Sequence, residues 1–341
     1  MNTLKTSLLS CLSILVFTAA CSQVTESDPE VLQRIAIGSC SHEDDPNQMW
    51  KEVIADNPDL WIWTGDIIYG DSHDMSELAR KYAKQKSHKD YQSLISKVPV
   101  IGIWDDHDYG INDGGKAFSK KKESKAELMK FLDVPEDNPV WHHEGAYNSY
   151  TFGKGNQKVK VILMDARYFR DTVIRQAEPS MYLQNKEGDI LGESQWSWLE
   201  EQLTNSDAVL HILASGIQVI PEEHPYEKWS NLPKARQRLF DLLEKTKPIN
   251  AFIISGDRHI AELSKVELDQ LDYPLFDLTS SGLTHTWSSV WEEPNQHRVG
   301  ELIIQKNYGL ITIDWSSNEP MVTFEIKGKG NATFLKFEHQ Y

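Results

Sequence analysis

Short apolar runs alternate with amphipathic stretches along most of this chain, and the alternation predicts its elements. Strands are predicted where an apolar run is bounded by turn residues, as in residues 60–63, which are Leu-Trp-Ile-Trp. Helices are predicted where apolar residues recur every three or four positions, as in residues 75–96. The predicted strands are 34–38, 59–63, 99–104, 147–152, 158–164, 209–214, 249–254, 274–278, 309–315, 321–326 and 333–337. The predicted helices are 48–55, 75–96, 116–132, 193–203 and 234–246.

The order of these elements predicts the fold class. Strands and helices alternate up to residue 254, and mainly short strands follow to the end of the chain. This order is typical of an α/β domain whose second sheet packs against the first. We therefore predict one domain over residues 34–341.

The first residues have the pattern of an export signal. Lys5 precedes an apolar stretch at 8–17, and small residues then lead to Cys21. We predict a lipoprotein signal peptide at 1–20, a lipidated Cys21 and a polar tether at 21–33, with plain secretion as the alternative. The protein would then be exported to the periplasm or the outer surface, attached to the membrane through Cys21.

Charge limits the range of partners. The chain of 341 residues has 51 acidic and 35 basic residues, for a net charge of −16. Such a surface repels nucleic acids and anionic membranes, so no nucleic-acid-binding surface is predicted. An anionic substrate would need a local positive centre, and a bound metal ion supplies one.

Metal-competent side chains follow four of the predicted strands. Because the carboxyl ends of parallel strands meet at one edge of a sheet, these side chains are predicted to form a shared metal site. Cys40 is the one cysteine beyond the signal region and Cys21, so it is either a buried apolar residue or a thiolate ligand. The side chains are those of Cys40, His42, Asp66, Tyr69, Asp106, His107, Asp108, Asp257 and His259.

The donor types indicate two unlike metal ions. Thiolate, phenolate and imidazole groups favour iron or zinc, whereas a carboxylate-only position favours calcium, magnesium or manganese. Asp66, directly after the most apolar strand, is predicted to bridge the two ions. A two-metal site can polarise a phosphoryl oxygen and activate water.

Together these motifs resemble the PhoD-like alkaline phosphatases, a branch of the calcineurin-like metallophosphoesterases. The resemblance implies a four-layer α-β-β-α sandwich with a dinuclear site at the strand ends. It extends over residues 35–315 and includes the segments 192–199 and 281–285. The motifs are Gly38-Ser39-Cys40, Gly65-Asp66 followed by Tyr69, Trp104-Asp105-Asp106-His107-Asp108, and Gly256-Asp257 followed by His259.

The resemblance also implies which residues hold which ion. Fe³⁺ would be bound by Cys40, Asp66, Tyr69 and His259. Ca²⁺ would be bound by Asp66, Asp106 and Asp257, with Zn²⁺, Mn²⁺ and Mg²⁺ as alternatives. His42 is a further candidate ligand, and Ser215 and Gln218 stand where the wider superfamily has a ligand histidine.

Four residues are predicted to have other roles, of which that of His107 comes from the resemblance. His107 is the predicted general acid, which protonates the leaving oxygen. Asp108 either orients His107 or caps the following helical turn. Arg167 and His285 are predicted phosphate contacts, and the alternative for Arg167 is an ion pair with Asp165.

The predicted function is that of an exported, metal-dependent phosphoric ester hydrolase acting on a small phosphate monoester or diester. The tether and a Trp- and Pro-rich loop at 221–233 leave open a phospholipase C-like phosphodiesterase. A surface protein that binds metal without turnover is a third possibility.

Overall fold

A computed structural model describes residues 31–287, 293–317 and 319–341. The predicted signal peptide and Cys21 lie outside these ranges. Within them, no helix has the length and apolar character needed to cross a membrane. The strands are β1 (Arg34–Gly38), β2 (Leu60–Thr64), β3 (Val100–Ile103), β4 (Asn148–Phe152), β5 (Val159–Leu163), β6 (Ile174–Gln176), β7 (Met181–Leu183), β8 (Leu210–Ala214), β9 (Ala251–Ser255), β10 (Ala261–Val266), β11 (Leu275–Ser280), β12 (Arg298–Ile303), β13 (Tyr308–Asp314), β14 (Met321–Lys327) and β15 (Thr333–Gln340). The helices are α1 (Trp50–Ala55), α2 (Met75–Ser87), α3 (Lys89–Ile95), α4 (Asp106–Tyr109), α5 (Lys121–Phe131), α6 (Gly192–Thr204) and α7 (Pro233–Thr246).

Two mixed sheets form the centre of the molecule. The first has the order β15-β14-β13-β1-β2-β3, in which β1, β2 and β3 are parallel. The second has the order β12-β10-β11-β9-β8-β5-β4, in which β5, β8, β9 and β11 are parallel. Strands β6 and β7 form a separate hairpin inside a segment that the sequence predicts as a loop.

Helices cover the outer face of each sheet. On the first sheet, the Trp63 ring packs against Trp50 of α1 and Tyr91 of α3, with centroid distances of 5.4 and 6.0 Å. Between the sheets, the Phe252 ring of β9 packs against the Phe324 ring of β14, with a centroid distance of 5.1 Å. Apolar residues of α6 and α7 form a second core with the far face of the second sheet. This arrangement confirms the predicted four-layer α-β-β-α sandwich.

Two differences from the predicted elements have local causes. The predicted helix 75–96 is two helices, because the backbone of His88 is extended and its imidazole bonds the carbonyl oxygen of Glu43 at 2.8 Å. Strand β10 was not predicted, since the buried Glu262 interrupts its apolar pattern. Arg298 of β12 donates to this carboxylate at 2.6 Å and compensates its charge.

Candidate metal centre

Four loops that follow β1, β2, β3 and β9 bring the predicted ligands together. The first three loops follow parallel neighbours in one sheet, as predicted. The fourth loop, which carries Asp257 and His259, follows β9 of the second sheet, so the expectation of a single sheet edge is wrong. Thr64 at the end of β2 donates to the carbonyl oxygen of Ser255 at 3.5 Å, which shows that the two sheets meet here.

One group of donors contains sulfur, oxygen and nitrogen. The ligand atoms of Cys40, Asp66 and His259 all lie within 4.8 Å of one another. The Tyr69 hydroxyl oxygen is 3.1 Å from His259 Nε2, and Cys40 Sγ is 3.4 Å from Asp66 Oδ2. The structure therefore brings together all four residues that the resemblance assigns to an iron-like ion.

The second group consists of carboxylates. Oxygen atoms of Asp66, Asp105, Asp106 and Asp257 lie within 4.8 Å of one another. Asp66 belongs to both groups, as a bridging ligand must. Asp105 is the member that the sequence did not single out, although it precedes Asp106 in the matched motif.

Several of these residues have a left-handed backbone, which is uncommon for residues other than glycine. The φ angles are 56° at Cys40, 47° at Asp66, 71° at Asp257 and 56° at His259. Such conformations cost about 1–3 kcal/mol each and concentrate at functional sites. Gly65 also has a positive φ, of 93°, and a Cβ there would lie 2.3 Å from Asp105 Cβ.

The electrostatics of the cluster suit a bound cation. Burial and the charges of Asp66 and Asp257 raise the pKa of Cys40. Burial likewise raises the pKa of Tyr69 and of Asp66. It lowers the pKa of His259 to about 3, which keeps the imidazole neutral as a ligand requires. Burial thus opposes the charged forms of Cys40, Tyr69 and Asp66, and a polyvalent metal ion would supply the opposite charge that those forms need.

Asp105 supports the same conclusion. Its Oδ1 accepts a 2.7 Å hydrogen bond from Arg167 Nε, while its buried Oδ2 has no hydrogen-bond partner in the part of the chain that the structure describes. Burial raises the pKa of Asp105 to about 7. A buried carboxylate oxygen without a partner in this position is suited to bind a metal ion, or a ligand of that ion.

His107 has a ring nitrogen within 4.8 Å of carboxylate oxygens of Asp66 and Asp106, and its imidazole is hydrogen-bonded to Asp71. His107 Nδ1 is 2.7 Å from Asp71 Oδ2. Burial opposes protonation, but the hydrogen bond to Asp71 and the charges of Asp66 and Asp106 raise the pKa of His107 to about 10.

Asp108 does not make the predicted contact with His107. Its carboxylate accepts hydrogen bonds from the backbone N–H groups of Asp105 at 2.7 Å and Ile67 at 3.2 Å. Asp108 thus caps the short helix α4, which was the alternative role. The sequence pointed to Asp108 because it is adjacent to His107, whereas Asp71 comes from a distant loop.

Arg167 lies beneath the carboxylates with its side chain fully buried. It pairs with Asp105 and also with Glu227, at 2.9 Å, and its Nη2 is 3.9 Å from Asp106 Oδ1. Although burial opposes the effect, Arg167 and His107 hold the pKa of Asp106 below its usual value. Asp165 interacts with the Arg167 backbone N–H, not with its guanidinium. A phosphate contact by Arg167 stays a prediction, while the contacts present are ion pairs within the protein.

His285 and His42 both contact the Tyr69 ring. His285 Nε2 is 2.9 Å from the Tyr69 hydroxyl oxygen, and burial lowers the pKa of this imidazole to about 4. The His42 ring is stacked on Tyr69 with a centroid distance of 5.3 Å. His42 is grouped with Glu43 and Asp44, and not with the Cys40 group.

Ser215 and Gln218 take part in internal hydrogen bonds. Ser215 Oγ donates to the carbonyl oxygen of Ile217 at 2.8 Å, and Gln218 Nε2 donates to Glu262 at 2.7 Å. Between them, Gly216 approaches Asp105 so closely that a Cβ would lie 2.2 Å from Asp105 Oδ1. This loop therefore packs against the carboxylate group through a residue without a side chain.

Comparisons with known proteins identify the family of this chain. The family model of the PhoD-like phosphatases matches residues 35–307. Alkaline phosphatase D of Bacillus subtilis (strain 168) is 22% identical over an alignment of 289 positions that covers 72% of this chain and 48% of that protein. The chain thus spans about half the length of this curated relative. A solved structure of PhoD has a TM-score of 0.69 at 17% identity, over 91% of this chain and 70% of that one. With the family model matched over most of its length, this chain belongs to the PhoD-like phosphatase family.

Proposed function

We propose that this protein is an exported, metal-dependent phosphoric ester hydrolase with a dinuclear centre. The observation that carries the proposal is Asp66, which lies within ligand distance of both donor groups. Two polyvalent cations sharing a carboxylate neutralise a phosphoryl group and lower the pKa of bound water. Family membership supports the same reaction class.

The donor chemistry supports an unlike pair of ions. Fe³⁺, or Zn²⁺ as the alternative, would be held by Cys40, Asp66, Tyr69 and His259. Ca²⁺, or Mn²⁺ or Mg²⁺, would be held by Asp66, Asp106 and Asp257, which offer only oxygen.

His107 would act as the general acid. Since its Nδ1 is bonded to Asp71, Nε2 is the atom that would donate a proton to the leaving oxygen. The Asp71 carboxylate stabilises the charged imidazolium before that transfer. His285, whose imidazole lies against Tyr69, is the proposed contact for a phosphate oxygen.

The structure offers little support for the phospholipase C-like alternative. The Trp- and Pro-rich loop at 221–233 was, with the membrane tether, one of the two features that favoured a lipid substrate. Its Trp229 is fully buried and donates to Ser215 Oγ at 3.0 Å. Small phosphate monoesters and diesters are therefore the proposed substrates.

Export would place the enzyme where phosphate esters from outside the cell are available. This part of the proposal depends on the signal peptide at 1–20 and on Cys21, which would carry the lipid. Mass spectrometry of the mature protein from the membrane fraction tests it, since a lipidated Cys21 would be the new N-terminal residue.

A comparison of wild type with His107→Ala tests the catalytic proposal. Both proteins should contain the same ions by elemental analysis, because His107 is not a proposed ligand. Turnover of bis-aryl and mono-aryl phosphates should fall by about 10²–10⁴-fold in the variant. Equal rates in the two proteins would exclude the role of His107, and metal-loaded wild type without turnover would instead support a binding protein.

A further inference from the structure

Trp287 lies at the edge of the metal centre. It is hydrogen-bonded to the loop that carries the proposed ligands Asp257 and His259. Its backbone N–H donates to the carbonyl oxygen of His259 at 3.2 Å, and its Nε1 donates to that of Arg258 at 2.9 Å. The indole and the His259 imidazole have a centroid distance of 5.4 Å. Even so, 40% of Trp287 is exposed, more than any other tryptophan in the described ranges. A fixed aromatic surface is thus open to solvent beside the ligands.

Tyr226 is stacked against Trp287. Its ring lies nearly parallel to that of Trp287, at an interplanar angle of 19° and a centroid distance of 6.0 Å. The guanidinium of Arg258 stacks on Tyr226 at 3.8 Å from the ring centroid, and it pairs with Glu293 at 2.5 Å. The two rings and the buried arginine therefore belong to one packed unit.

Hydrogen bonds and an ion pair fix the loop that carries Tyr226. Lys228 Nζ donates to the carbonyl oxygens of His224 at 2.7 Å and Tyr226 at 3.0 Å. Glu227 pairs with Arg167 at 2.9 Å, which ties the loop to the carboxylate group. Because the surface is ordered before a ligand arrives, little conformational entropy would be lost on binding.

The chemistry of this surface selects among possible occupants. A flat aromatic group gains stacking energy on an exposed indole. A quaternary ammonium group is disfavoured, because Arg258 already places a cation against Tyr226. A long nucleic acid is disfavoured by the net charge of −16.

We propose that Trp287 and Tyr226 form an aromatic platform that binds the flat aromatic group of a small phosphate ester. The phosphoryl group of that ester would lie at the metal centre, so the platform depends on the proposed function. Aryl phosphates and nucleotides share this chemistry. The platform would favour these esters over those with short alkyl groups.

Equilibrium binding of non-hydrolysable phosphonates tests the platform without using turnover. Isothermal titration calorimetry of the metal-loaded full chain would compare phenylphosphonate with ethylphosphonate. Trp287→Ala should weaken phenylphosphonate binding about tenfold and ethylphosphonate binding less than about twofold. Trp287→Phe should retain most of the preference for phenylphosphonate.

A control variant and an additional ligand complete this experiment. Ile249→Ala removes a similarly exposed apolar side chain, 53% exposed, outside the residues that form the platform, and should change neither affinity. A nucleoside phosphonate tested alongside shows whether a nucleobase or a smaller aryl group binds more tightly.

The outcomes separate the platform from the proposed function. Equal weakening of both phosphonates by Trp287→Ala, or no weakening of either, would overturn the platform alone. Failure of wild type to bind any phosphonate would contradict the phosphoryl site and the platform with it. If Trp287→Ala does not fold, the same comparison between Trp287→Phe and Trp287→Leu decides, because leucine keeps apolar area but has no aromatic face.

Discussion

Arg167 shows how a single side chain can compensate the charges of several buried carboxylates. The guanidinium lies between Asp105 and Glu227 and reaches toward Asp106. All of these groups are buried, so the arginine compensates part of the charge of each carboxylate, while Glu227 also pairs with Arg170 at 3.2 Å. A buried charge that loses its partner is strongly destabilising.

We therefore predict that Arg167→Met lowers the free energy of unfolding by about 3–5 kcal/mol. Arg167→Lys should recover part of this loss, because it keeps the charge but not the forked geometry. Urea unfolding of the metal-loaded variants measures both effects. A normal stability with only a raised KM for phosphate esters would instead favour the predicted phosphate contact.

The strand-end clusters could be recognised from the sequence one residue at a time, but their partners could not. Cys40, Asp66 and His259 each follow an apolar strand, which is a local signal. Asp71 and Asp105 also lie in loops after strands, but the sequence does not show which residues they contact. Only the structure shows that Asp71 bonds His107 and that Asp105 bonds Arg167. Those contacts join loops far apart in the chain.

At the scale of elements, helix α2 holds the backbone of Tyr69 in place. Lys81 of α2 donates to the carbonyl oxygen of Tyr69 and pairs with Glu43 at 3.4 Å. Glu43 in turn accepts a 3.1 Å hydrogen bond from the Tyr69 backbone N–H. The Glu43–Lys81 pair thus contacts both polar groups of the Tyr69 backbone. By fixing this backbone, the pair positions the Tyr69 phenol beside Cys40, Asp66 and His259.

We predict that Lys81→Met loosens this arrangement. The variant leaves Glu43 buried without its cation and should lower stability by about 2–3 kcal/mol, less than for a fully buried pair because Lys81 is partly exposed. It should also release the ion held by Tyr69 faster during dialysis against a chelator.

Lys84→Met is the matched control for this prediction. Lys84 lies one turn further along α2 and pairs with Asp44 at the surface. Its loss should change stability by less than about 1 kcal/mol and leave metal release unchanged. Similar metal release from both variants would remove the proposed role of Lys81.

At the scale of the whole molecule, the metal centre lies where the two sheets meet, so bound ions would join both halves of the sandwich. Asp66 and Asp106 come from the first sheet, and Asp257 comes from the second. Without cations, these buried carboxylates repel one another across the interface. Ligands that bind only the folded state stabilise it by mass action.

Removal of the ions should therefore lower the Tm of the whole domain. At a free ion concentration 100 times the Kd, each bound ion contributes about 2.7 kcal/mol, which for a domain of this size predicts a fall of roughly 4 °C for each ion removed by chelation. Differential scanning calorimetry before and after chelation measures the change. In Asp66→Asn, which lacks the shared carboxylate, chelation should have a much smaller effect. An unchanged Tm in metal-depleted wild type would show that the ions do not join the sheets.

The sequence by itself determined most of the strands and helices, the types of donor and their positions at strand ends, because all of these depend on local patterns of polarity. It also contained the motifs of the PhoD-like family. The tertiary structure alone decided that the Asp257 loop comes from the second sheet, that Asp71 and not Asp108 orients His107, and that Arg167 is enclosed by carboxylates. These facts depend on which distant loops meet when the two sheets pack. Spacing along the chain does not encode such contacts, because the loops that make them are separated by whole elements.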